Sequence, residues 1–86
     1  MKFRKRPVVI DAEQFFPGNT PWPSGVVGID PDRPEPCVAE HEAKAWGIQT
    51  LEGWHLVIPG DWIITGVKGE RYPVKPDIFA LTYERI

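Results

Sequence analysis

"IPGDWIITGVKGERYPV" (residues 58–74) carries the densest pattern in this 86-residue chain, an apolar run held between two turn signals. Pro59-Gly60 suits the centre of a type II turn, because proline presets φ at the second position and glycine supplies the positive φ at the third. Asp61 follows, where its carboxylate can accept backbone donors of the turn. "WIITGV" (62–67) is apolar on both faces, the pattern of a central strand covered from both sides. Lys68-Gly69 fits a two-residue hairpin loop, although lysine is a poorer first loop residue than asparagine or aspartate. The chain returns as "ERYPV", where Pro73 marks an edge strand or a bulge because it has no N–H to donate. A lysine beside a glycine also raises the question of a phosphate-binding loop. Such a loop needs G-x-x-x-x-G-K-[ST] between a strand and a helix, so that successive N–H groups face the phosphates. "GVKGE" has its lysine before the second glycine, no Ser or Thr after it, and strand signals on both sides. It reads as a hairpin.

Upstream, "WGIQTLEGWHLVI" (46–58) reads as a second hairpin. Trp46, Ile48 and Thr50 form one row, Trp54, Leu56 and Ile58 another, and "LEG" is the connection. "RPVVIDAEQFF" (6–16) alternates Val8, Ile10 and Ala12 against Val9, Asp11 and Glu13. That period marks a half-buried strand, with Pro7 at its first position and Phe15 and Phe16 closing it. Residues 17–36 hold six prolines and three glycines. That density predicts a long ordered loop across the core, anchored by Trp22, Val26 and Val27, and such loops are either functional or variable insertions. "CVAEHEAKAW" (37–46) suits a bent strand better than a helix, which would have almost no apolar face.

Downstream, "KPDIFALTYERI" (75–86) places Pro76 at a first helical position and Asp77 at the positive helix end. One short helical turn is expected there, docked by Ile78, Phe79 and Leu81, with "TYERI" as a candidate last strand. The expected fold is mainly β (α+β at most). It is one small domain over 1–86, an antiparallel sheet or barrel with a long Pro-rich loop and one short helical turn near the C-terminus.

The net charge of −2 excludes a general nucleic-acid binder, which carries a clear basic excess. "KFRKR" (2–6) is a local exception that suits either a phosphate or acidic partner or a solvated terminus. The lone Cys37 excludes an internal disulfide. "PVVI" is too short a run for a secretory signal, and nothing approaches the ~20 apolar residues that span a bilayer, so a cytoplasmic protein with no membrane contact is expected. Ser24, the only serine, lies in the Pro-rich loop. Cys37 and His41 are spaced C-x-x-x-H, but with His55 as the only other histidine a metal site lacks ligands. The carboxylate pairs Asp30/Asp32 and Glu40/Glu42 read as solvated surface. No catalytic residue, metal or cofactor is expected, and the chain is read as not an enzyme. What remains is a binding set: Trp54, His55, Trp62, Lys68, Arg71, Lys75 and Tyr83. An aromatic wall with a few cations stacks a base and pairs its phosphates. The same tryptophans also suit a core, and both readings stay open.

"TLEGWHLVIPGDWIITGVKGERYPVKPDIFALTYERI" (50–86), taken with "KFRKRPVVIDAEQF" (2–15), resembles a family of small proteins encoded by bacteriophages and prophages. Its members open on a basic stretch before a "PV-I-A-Q-W" pattern and end on "TLEG" and "PGD(W/Y)II-GVKGE-YP-KPDIF--TYE". The resemblance covers roughly the first fifteen and the last thirty-seven residues. This chain has Phe15 where many relatives carry tryptophan, and Val74 where many carry cysteine, which removes a thiol role at that position. The resemblance implies a phage origin and a compact β-rich fold, and it brings no catalytic residues. Small accessory phage genes often serve host takeover or counter-defence, a gene-context prior. The function expected is a non-enzymatic accessory protein of the host cytoplasm that binds a host protein or a small signalling nucleotide. The alternative is a structural virion component, docking through an edge strand near Pro73 and the basic N-terminal arm. Exposed edges on so small a β domain leave a homo-oligomer open.

Overall fold

Two hairpins organise the chain, and each seeds one antiparallel sheet. In the computed structural model, which describes residues 1–4, 8–35 and 37–86, the strands are β1 (Asp11–Gln14), β2 (Val26–Ile29), β3 (Cys37–Val38), β4 (Ala45–Thr50), β5 (Gly53–Val57), β6 (Trp62–Thr65) and β7 (Arg71–Val74). One helix, α1 (Pro76–Thr82), follows, and a 3-10 turn at Glu40–Glu42 joins β3 to β4. One sheet has the order β1-β6-β7 and the other β3-β2-β4-β5. The fold is a small, mainly β domain. The readings placed on Lys5, Arg6, Pro7 and Pro36 lie outside the described residues.

The sheets face each other across Phe15, Val26, Ile48, Val57 and Ile63, with Trp22 and Trp46 packed against that cluster. Ile63 comes from the three-stranded sheet, Val26, Ile48 and Val57 from the other, and Phe15 from the residue after β1. β7 lies against β4 and β5. β6 is central in its sheet, and both Ile63 and Ile64 are buried, as its two-faced apolar pattern predicts. Pro73 falls on the edge strand β7, opposite Ile63.

The first turn forms as expected. Asp61 N–H donates to the Ile58 carbonyl at 3.1 Å, and Gly60 takes φ 93. The second hairpin bends differently. Gly69 N–H donates to Gly66 C=O at 3.0 Å, and Gly66 N–H to Glu70 C=O at 2.8 Å. The loop is therefore three residues, Val67-Lys68-Gly69, closed by a bulge. A two-residue primed turn requires positive φ at lysine, which costs about 1 kcal/mol or more. The observed turn confines that conformation to Gly69, at φ 80, and no non-glycine residue has positive φ among the described residues.

Four other expectations change. β1 starts at Asp11 rather than near Pro7, because its partner β6 ends at Thr65, opposite Asp11. Val8 and Val9 therefore have no strand to pair with and are exposed. Within the segment read as a loop, Val26–Ile29 is a strand seated between β3 and β4. Its glycine is required there, since a Cβ on Gly28 would stand 2.7 Å from the Ala43 Cβ. Residues 37–46 divide into β3, the 3-10 turn and the start of β4. α1 has Pro76 in its first turn, as expected, but only Phe79 docks it: Ile78 and Leu81 are exposed, and 83–86 are not a strand.

Candidate functional site

The seven residues read as a binding set are placed in six different environments. Lys75 is taken by Asp61. That carboxylate is fully buried, accepts the Lys75 Nζ at 3.0 and 3.1 Å, and accepts the Ile58 N–H at 3.0 Å. It thus ties the type II turn to the residue preceding α1. Backbone bonds extend the knot: Phe15 N–H donates to Asp61 C=O at 2.8 Å, and Gly60 N–H to Phe15 C=O at 2.7 Å. The stretch "PGD" and the "KP" that begins fourteen residues after Asp61 are two halves of one structural lock.

Trp62 and Tyr83 are taken by packing. Register puts Trp62 and Ile64 on the face of the three-stranded sheet opposite Ile63, and α1 covers that face. Phe79 stacks on Trp62 at 4.3 Å and 7°, and Tyr83 follows at 5.1 Å from Phe79. The row ends on Tyr72, whose hydroxyl is pushed up to about 12, first by its hydrogen bond with the Tyr83 phenol and then by burial. That value lies above the ordinary 10, so neutral Tyr72 stabilises the fold fully below pH 10. The contribution is lost as pH rises through about 12. Urea unfolding at pH 9 and pH 11.5 should show this loss, and Tyr83→Phe should reduce it. An equal fall in both proteins would refute the link.

Arg71 lies in an open cleft of about 350 Å³ lined by Asp11, Glu13, Pro23, Ser24, Ile63 and Thr65. Asp11, Thr65 and Arg71 stand in one row across the sheet. Two carboxylates in so small a cleft oppose a nucleotide phosphate. Lys68 stands exposed at the hairpin tip, with its backbone N–H held by the Glu70 carboxylate at 2.9 Å.

Trp54 and His55 sit on β5 but point to opposite faces. His55 pairs across with Ile48 on the core side and lies 3.9 Å from the Glu52 carboxylate. Trp54 faces outward, opposite Gln49, and Leu56 beside it faces outward opposite Gly47. Both are largely exposed, at 59% and 64%, with Ile58 at 42% beyond them. Ile29 extends this outer face, since a Cβ on Gly47 would meet Ile29 Cδ1 at 2.8 Å and Trp54 Cε3 at 3.8 Å. The result is an uncovered apolar face on the four-stranded sheet. Trp54 and Trp62 thus lie on opposite outer faces of the two-sheet stack, and no single aromatic wall joins them.

Leu56 and Ile29 lie outside the seven-residue binding set, although Leu56 shares a row with Trp54 in "WHLVI". Asp30, read as solvated, is buried. It accepts the Asp32 N–H at 3.1 Å and pairs with Arg33 at 3.3 Å and Lys44 at 3.6 Å. Glu42 pairs with Arg33 at 2.7 Å. These ion pairs pin the connection after β2. Cys37 and His41 are exposed, and no group of three metal-binding side chains occurs among the described residues. No described helix is long and apolar enough to cross a membrane. No protein-family model, no curated protein and no solved structure matches this chain.

Proposed function

We propose that this chain is a non-enzymatic binding protein whose partner is another protein, engaged through the outer face of β4 and β5. The exposed pair Trp54 and Leu56 carries this reading, because large side chains on a sheet face left open by its own domain mark interaction sites. Tryptophan is also the side chain most enriched at the energetic centres of interfaces. The scatter of the other six candidates favours a protein over a small nucleotide, which requires convergent groups in one pocket. The resemblance to phage-encoded accessory proteins suggests a host protein as that partner and the host cytoplasm as the place.

A photo-crosslinking amino acid at Trp54, introduced in bacteria expressing the chain, should trap one defined host protein. The same probe at Asp77, on the exposed side of α1, should not. Equal labelling from both sites, or none from Trp54, rejects the reading. Thermal stabilisation by a linear or cyclic nucleotide would restore the ligand version instead. The virion alternative uses the same exposed face against a particle, and mass spectrometry of purified phage distinguishes it.

A further inference from the structure

β5 is the last strand of its sheet, and its outer edge is unused. The Gly53 carbonyl points toward β4, where it accepts the Thr50 hydroxyl at 2.9 Å. The His55 carbonyl does the same, lying 3.3 Å from where a Gly47 Cβ would stand. Backbone groups alternate along a strand, so the N–H and C=O of Trp54 and Leu56 point away from β4. Apart from the strand ladders, neither residue has a backbone hydrogen bond among the described residues. Strand ends leave little freedom on either side. Ile58 has both backbone groups engaged with Asp61, at 3.0 and 3.1 Å, and the Glu52 N–H is held by Thr50 at 3.1 Å.

We propose that a second copy of this chain pairs with this edge, β5 against β5, in an antiparallel register centred on His55. That register sets Trp54 opposite Leu56 of the second copy, and Leu56 opposite its Trp54. All four free groups on each strand are then satisfied by four shared hydrogen bonds. Shifting the centre to Trp54 or Leu56 calls on the Glu52 N–H or on both backbone groups of Ile58, which are already engaged. The two four-stranded sheets become one of eight strands. Their outer faces join, so the two Trp54–Leu56 patches form a single apolar platform about the twofold axis.

The area sets the strength. Pairing one short strand edge, with the flanks of two large side chains, buries on the order of 400 Å² per copy. The total, about 800 Å², lies below the ~1,200 Å² at which stable specific interfaces begin, so the dimer is a weak one that forms at high protein concentration. The edge carries none of the usual protections: β5 has no proline, no lysine and no bulge facing out. The dimer uses the edge of β5 and the proposed partner uses its face, so either can fail while the other stands.

Sedimentation of the full chain from about 5 to about 500 μM should show a monomer passing to a dimer. His55→Cys, in a Cys37→Ser background, tests the register. At a non-hydrogen-bonded antiparallel pair the two Cα atoms stand about 4.5 Å apart, within disulfide reach. Oxidised glutathione should therefore link the H55C copies rapidly. Trp54→Cys should link at least tenfold more slowly, because offset by two residues the Cα atoms are about 8 Å apart. Leu56→Pro removes a donor that the monomer does not use, and should abolish the dimer while urea unfolding remains cooperative. Should L56P fail to fold, Leu56→Lys gives the same reading by charge repulsion across the edge. A monomer at every concentration overturns the proposal, as does a dimer in which W54C links as fast as H55C.

Discussion

Asp61→Ala is expected to destabilise the fold by about 3–5 kcal/mol, a large share of what an 86-residue domain holds. The carboxylate is fully buried and serves two donors at once. Its removal leaves the Ile58 N–H unpaired at the start of the turn and leaves Lys75 without its anion. It also loosens a turn whose backbone is bonded on both sides to Phe15. The reverse change, Lys75→Met, strands the buried Asp61 carboxylate, but it is expected to cost less, about 1–3 kcal/mol, because the side chain it replaces is 49% exposed and water reaches the vacated side of the pair. Asp61→Asn should fall between them, since the amide oxygen still accepts the Ile58 N–H. Urea unfolding at neutral pH checks the order. If K75M cost as much as D61A, the ion pair would dominate and the turn would be secondary.

Phe15→Ala is expected to cost about 3–5 kcal/mol, and Phe16→Ala about 1 kcal/mol or less. The two residues are neighbours of one type, and only their burial differs: Phe15 is fully buried and Phe16 is 41% exposed. The Phe15 ring meets Trp22 at 5.7 Å and Trp46 at 5.6 Å, so its loss opens a cavity at the centre of the shared core. Both sheets and the long connection lean on that ring. Thermal unfolding followed by tryptophan fluorescence reads the effect directly, because two of its reporters line the cavity. Equal effects at 15 and 16 would contradict the placement of the core.

Local chemistry was legible wherever one or two residues dictate a backbone shape. Pro59-Gly60 could only make one kind of tight turn, and Pro76 with Asp77 could only open a helix. The strand at Trp62–Thr65 was legible because both its faces are apolar, and Pro73 placed its neighbour at an edge. β2 was not legible. Its four residues sit among prolines and glycines, and they form a strand only because β4, some twenty residues on, offers them a ladder. The candidate site divides in the same way. The alternation in "WHLV" places Trp54 and Leu56 on one face, but a period of two is silent on which face another sheet will cover.

The sequence by itself therefore determined the Pro59-Gly60 turn, the two hairpins and the mainly β class, because those depend on φ preferences and on patterns within a few residues. Only the tertiary structure decided which aromatic rings are core and which are surface. Trp22 and Trp46 pack against Phe15, Trp62 is covered by Phe79, and Trp54 is left bare. Nothing in the local sequence separates these four tryptophans. What separates them is which strands and which helix come to lie over each one. That is set by long-range pairing, whose energy appears only when the two sheets have closed on each other.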